Sequence, residues 1–188
     1  KLIARRVRDF GIFSLVIPYN SLNPKLFKTN DIRGLIFSGG PRSVGDKNSP
    51  KLQKFIYELN IPILGICYGL QLICMQFGGK LKSASDREFG KKKIIIKKKS
   101  PFLKDAYLVN KKYQVWMSHS DSVEKLPTGF EAIASSEGAP FAIIANDHKK
   151  LYGVQFHPEV YHTKNGLKFL NNFLLISGFS KNWSMGSF

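Results

Sequence analysis

Along the first half of the chain, short apolar runs alternate with longer runs whose apolar residues recur at helical spacing. Leu2, Ile3, Val7 and Phe10 share one helix face, and Gly11 is placed to end that helix. Ile12 to Ile17 then reads as a β-strand, and Leu35 to Ser38 as a second, closed by Gly39, Gly40 and Pro41. Ser49 and Pro50 have the form of an N-cap and first-turn proline for a helix through Leu59. Ile61 to Ile66 is a strand of the buried type. Tyr68 to Phe77 follows at once as a helix, with Leu70, Ile73, Cys74 and Phe77 on one face and Gly78-Gly79 at its end. The second half changes character: Ile94 to Ile96, Tyr113 to Met117, Phe130 to Ala134, Phe141 to Ala145 and Leu151 to Phe156 are strands with short connections, and Gly166 to Ile176 is again helical. The pattern predicts an α/β fold, an open mixed, mostly parallel sheet flanked by helices and more antiparallel toward its C-terminal part. No internal repeat or linker divides it.

Composition narrows the class. With 188 residues, 43% of them hydrophobic, the chain can bury a core of its own. Two cysteines cannot form a disulfide framework, and no apolar run approaches the roughly 18 residues of a membrane-spanning helix. No secretory signal pattern opens the sequence, so a cytoplasmic location is expected. The charge is less ordinary: 29 Lys and Arg against 13 Asp and Glu give a formal net charge of +16. Such an excess attracts polyanions, so a nucleic-acid-binding domain is one reading. The residue type argues against it, because Arg, favoured for base and bidentate phosphate contacts, is confined to Arg5, Arg6, Arg8, Arg33, Arg42 and Arg87. Much of the remainder is the block Lys91, Lys92, Lys93, Lys97, Lys98 and Lys99 around Ile94 to Ile96, which reads as a strand with solvated ends.

Candidate chemistry gathers after the strand Ile61 to Ile66, in Gly65-Ile66-Cys67-Tyr68-Gly69. A nucleophile on a sharp strand-to-helix turn needs small neighbours two positions before and after it. At the start of the following helix, the dipole and unpaired N–H groups favour the thiolate form of Cys67. Cys74, on the apolar face of the same helix, is expected only to pack. Of His119, His148, His157 and His162, His157 has the setting of a base: it follows an apolar strand, is fixed by Pro158, and has Glu159 two residues on. Cys67, His157 and Glu159 then take the roles of nucleophile, base and orienting carboxylate. Ser38-Gly39-Gly40-Pro41 offers a turn whose backbone N–H groups can meet an oxyanion. It is not a phosphate loop, since the Gly-Lys-Ser/Thr ending is missing.

These residues resemble the class I glutamine amidotransferases over nearly the whole chain. The likeness rests on Ser38 to Pro41, Gly65 to Gln71, Trp116-Met117-Ser118-His119-Ser120-Asp121 and Gly153 to Val160. Tyr68, the Ser118 to Asp121 segment and Val160-Tyr161-His162-Thr163 bring it to the GMP synthase type, with the anthranilate and carbamoyl phosphate synthase types as the alternative. The resemblance implies a flavodoxin-like fold and hydrolysis of glutamine to glutamate and ammonia, with no cofactor for that step. It gives the oxyanion and glutamine-binding roles to Gly39, Gly40, Tyr68, Gln71, Ser118, Ser120 and Asp121, and no metal site. It implies a separate ATP- and Mg-dependent synthetase domain, fused or a partner subunit, that aminates XMP to GMP and carries a homodimer contact. Three features depart from the family pattern: the family's opening strand is absent ahead of the first helix of this sequence, Ser120 stands where the family has glycine, and no Ser-Gly-Gly-Val-Asp-Ser loop follows. The expected domain is residues 1–177, with 178–188, including Trp183-Ser184-Met185, starting a linker. An apolar first strand is expected upstream of Lys1.

Overall fold

A computed structural model describes residues 1–40 and 43–180, the side chains of 83–86 excepted. The expectation for Trp183 to Met185, and Pro41 of the glycine turn, lie outside the described residues. Helix α1 (Leu2–Asp9) ends where Gly11 takes a φ of +74°. Short α2 (Pro24–Thr29) is capped by the Asn23 side chain. Strand β1 (Leu35–Phe37), short α3 (Phe55–Glu58), β2 (Ile63–Ile66) and α4 (Tyr68–Gln76) follow. The long hairpin β3 (Lys80–Ile96) and β4 (Lys112–Lys125) comes next, then β5 (Glu131–Ser135), β6 (Ile143–Asn146), β7 (Leu151–Val154) and α5 (Gly166–Ile176).

The seven strands form one sheet in the order β1-β2-β7-β6-β5-β3-β4. β1, β2 and β7 run parallel, and the remaining pairings are antiparallel. The sheet is open and mixed as the pattern predicts, but its parallel share is smaller than expected. Alternation along β2 explains its unbroken apolar run: Ile63 belongs to the core with Ile56 and Ile73 of α3 and α4, while Leu64 and Ile66 belong to the core with Val7 of α1 and Phe169 and Phe173 of α5. Helices thus cover both faces, as a parallel strand requires.

Three expectations are corrected. Ile12 to Ile17 forms no strand: it has no ladder partner among the described residues, Phe13, Leu15 and Val16 are exposed, and it is tethered by Arg8 Nη2 to Ser14 O and by Ser14 Oγ to Ala4 O. The helix expected from Ser49 to Leu59 shrinks to α3, because Ser49 Oγ donates to Val44 O instead of capping and Pro50 O receives the Tyr68 hydroxyl. The strands expected at Ile94 to Ile96 and Tyr113 to Met117 are parts of a much longer hairpin. Its outer stretch alternates polar residues on both faces, so no apolar stripe reveals it. α2 was not legible, being short and without a buried residue. Among the described residues no helix is long and apolar enough to cross a membrane.

Candidate active site

β2 delivers Cys67 to the start of α4 with φ +55° and ψ −108°, a conformation that costs a side-chain-bearing residue about 1–3 kcal/mol. The flanking glycines are a steric demand. A Cβ on Gly65 would sit 2.4 Å from the Gly69 carbonyl carbon, and one on Gly69 would sit 2.2 Å from Phe37 O. Strand and helix can close this tightly only with both glycines in place. Cys67 N donates to Val154 O at 2.7 Å, fixing the turn to β7.

β7 runs parallel to β2 and ends beside it, which brings His157 to the same edge of the sheet as Cys67. The His157 backbone N–H donates to Trp116 O on β4 (3.0 Å), and Thr163 Oγ1 donates to His157 O (2.6 Å), so both ends of the imidazole's own peptide are held. Nδ1 of His157 lies 2.9 Å from Glu159 Oε1, and Glu159 Oε2 is buried without a partner among the described residues. Burial opposes the charged imidazolium, but hydrogen bonding to Cys67 and Glu159 and the electrostatic pull of the same two groups outweigh it, pushing the His157 pKa up to about 10. Gly39, just past β1, closes the third side: a Cβ there would lie 3.3 Å from His157 Cε1 and 3.5 Å from Cys67 Cβ.

Cys67, His157, Glu159, Gly39, Gly40 and Ser118 line one cleft of about 380 Å³ together with Lys1, Leu2 and Ile3. The Cys67 thiol donates to Ser118 O at 3.5 Å. Tyr68 is buried and does not line the cleft, and its hydroxyl donates to Pro50 O. Gln71 is buried, and its Nε2 donates to Asp121 O at 2.7 Å, bracing β4. Asp121 receives the Ser43 hydroxyl through Oδ2, and Ser120 is half-buried; neither lines the cleft. Two neighbours escaped the sequence reading. Gln155, 1% exposed, places Nε2 3.6 Å from Cys67 Sγ, and Arg6 of α1 donates from Nε to Glu159 O at 3.0 Å. Gln155 sits two residues before His157, a proximity that could have marked it; Arg6, 153 positions from Glu159, carried no signal. Cys74 is fully buried, and burial pushes its thiol up to about 12. His148 is exposed.

A helix-start cysteine facing a carboxylate-bound histidine on a mixed α/β sheet has the arrangement that thiol-dependent acyl transfer requires. The family model of the class-I glutamine amidotransferases matches residues 1–177, and the chain belongs to that family. Within it, the chain is 46% identical over its full length to GMP synthase [glutamine-hydrolyzing] of Bartonella henselae, of which it covers 36%, and 44% identical to that of Brucella melitensis biotype 1, of which it covers 37%. The chain therefore spans little more than a third of these relatives. Among solved structures, a putative GMP synthase subunit protein from Thermoplasma acidophilum superposes with a TM-score of 0.80 at 29% identity, covering 94% of this chain and 87% of that one. A glutamine amidotransferase from Thermotoga maritima, at 17% identity and a TM-score of 0.64, shares the fold.

Proposed function

We propose that this chain is the glutaminase part of a GMP synthase, releasing ammonia from the side-chain amide of glutamine. What carries the reading is the strained Cys67 turn seated in one cleft with the His157–Glu159 pair. The proton of the Cys67 thiol rests on His157 as the imidazolium, the thiolate sulfur attacks the amide carbon, a C–S bond forms, and the carbonyl π pair moves to the oxygen, which becomes an oxyanion. Backbone N–H groups of Gly40 and Tyr68 meet that charge. The C–N bond then breaks as the His157 imidazolium gives its proton to the leaving nitrogen, leaving a glutamyl thioester and ammonia. Water adds to the thioester, neutral His157 takes its proton, and glutamate leaves with the cysteine restored. Glu159 orients the ring and favours its charged form. Gly39 leaves room for substrate against both reacting side chains, Ser118 forms the facing wall, and Gln71, Ser120 and Asp121 back that wall rather than line the cleft.

The ammonia serves an ATP- and Mg-dependent synthetase domain, fused or separate, that aminates XMP to GMP. The names of the relatives and the share of their length matched support this reading. Ammonia in neutral water is mostly ammonium, which has no lone pair to attack with, so delivery has to be shielded. Residues 1–177 are the amidotransferase domain, and 178–188 lead toward the synthetase. The test is ammonia release from glutamine by the natural enzyme and its Cys67→Ala variant, with GMP formation assayed from glutamine and from added ammonia. Loss of only the glutamine-dependent reaction is expected; loss of both, or of neither, contradicts the proposal.

A further inference from the structure

Away from the reacting groups, Glu88 and His119 face each other across the β3/β4 ladder with side chains 3% and 1% exposed, Oε2 to Nε2 at 3.1 Å. Glu88 also accepts from Ser136 Oγ (2.7 Å) and from the Gly138 backbone N–H (3.2 Å), both on the loop between β5 and β6. The other ring nitrogen of His119, Nδ1, lies 3.0 Å from Asp121 O, the same oxygen that Gln71 holds. Both ring nitrogens thus lie within hydrogen-bond distance of an oxygen. Burial works against ionised Glu88, but the bonds from His119, Ser136 and Gly138 prevail and hold its carboxyl below the usual range.

The pair stands where the hairpin leaves register. The ladder runs evenly from Ile95↔Lys112 to Glu88↔His119, and its next pairing is Ser83↔Asp121. β3 therefore advances five residues while β4 advances two. Such a slip re-aims the strand's side chains, and it has to be fixed at one position to hold. A buried polar pair is a poor source of stability compared with an apolar pair, and fixing register is its best-attested use.

We propose that Glu88 and His119 are positioning residues, a buried hydrogen-bonded pin that fixes the point where β4 departs from β3 and thereby sets Ser118 in the wall of the cleft, with Asp121 behind it. The inference rests on the glutaminase reading above. Ser118 O is the group that receives the Cys67 thiol, so displacement of this segment is felt at the cleft without removing any reacting atom.

The experiment measures glutaminase kinetics of the natural enzyme with Glu88→Gln, His119→Asn and both together, and alkylation of Cys67 by iodoacetamide, which needs no glutamine seat. Each single variant should raise KM for glutamine about tenfold with kcat within about threefold. The double variant should be no worse than the poorer single one, because the two residues act as a unit. Cys67 alkylation should be unchanged, and Glu88→Asp should recover part of the lost affinity. An unmoved KM, or a kcat and an alkylation rate that fall together with the folded fraction, overturns the proposal. Should those variants fail to fold, Ser136→Ala removes one donor from Glu88 while leaving the pair intact; it should raise KM by about twofold to threefold, and an unchanged KM overturns the proposal equally. Absence of glutaminase activity in the unsubstituted enzyme overturns the functional reading as well, whereas an active parent with an unmoved KM in the variants overturns this inference alone.

Discussion

At the scale of single residues, two cysteines seven positions apart have opposite fates because one sits at a helix start and the other inside the core. Cys67→Ala should abolish glutaminase activity and leave the fold intact, while Cys74→Ala should keep activity and cost about 1–3 kcal/mol of stability, read by denaturant unfolding. His157, with an ordinary pKa of 6.5 pushed up to about 10, stays protonated through neutral pH. The alkaline fall of kcat/KM should therefore centre near the raised value rather than near 6.5, and Glu159→Gln should move it downward; a limb near 6.5 in the parent enzyme would contradict the geometry. By linkage, the same raised pKa contributes stability that is complete below 6.5 and is lost as pH rises through about 10. The meeting of Cys67 with His157 was legible because each is marked by immediate neighbours: glycines two residues either side of Cys67, and Pro158 and Glu159 after His157. Glu88 with His119, and Gln155 with Cys67, were not, since their meaning lies in contacts across 31 and 88 positions.

Elements show the same division. β2, α4 and α5 follow their apolar patterns because their neighbours bury them on the expected faces. Ile12 to Ile17 has strand composition and no strand, since β propensity is realised only against a partner. The β3/β4 hairpin is the reverse case, a long ladder whose Lys-rich outer stretch carries no apolar stripe. The β2–α4 turn is where sequence and geometry meet most tightly. Gly65→Ala or Gly69→Ala forces a methyl to within 2.4 Å or 2.2 Å of backbone. Either should cost about 3 kcal/mol or more and lower activity with it, whereas Gly78→Ala, with open space around its Cβ position, should cost less despite its positive φ. Thermal melts of the three variants decide this, and equal losses would mean that close packing does not govern the turn.

For the molecule as a whole, the sheet's β1 edge is the telling feature. β1 ends the strand order, and a cavity of about 840 Å³ lies beside it, lined by Ala4, Val7, Ile12, Ile36, Phe37 and Leu174. An edge strand next to an apolar gap has unpaired backbone groups on one side and uncovered hydrocarbon on the other. We propose that an apolar strand upstream of Lys1 fills this gap in the natural protein and pairs with β1 and the Ile12 to Ile17 segment. Residues 1–188 alone should then be poorly soluble or inactive, with activity restored by the upstream strand and the synthetase part; a stable, fast glutaminase from residues 1–188 alone would contradict this. The overall α/β order was legible from the alternation of periods, but the sheet order was not, because β3 and β5 pair only through Ile95 and Ile96. Covalent capture tests the central claim most directly: the natural enzyme is treated with a glutamine-mimicking chloroketone, and the modified peptide is mapped by mass spectrometry. Labelling should fall on Cys67, spare Cys74, slow in His157→Ala and be blocked by free glutamine; labelling at Cys74, or at Cys67 without protection by glutamine, would contradict the assignment of this cleft to glutamine hydrolysis.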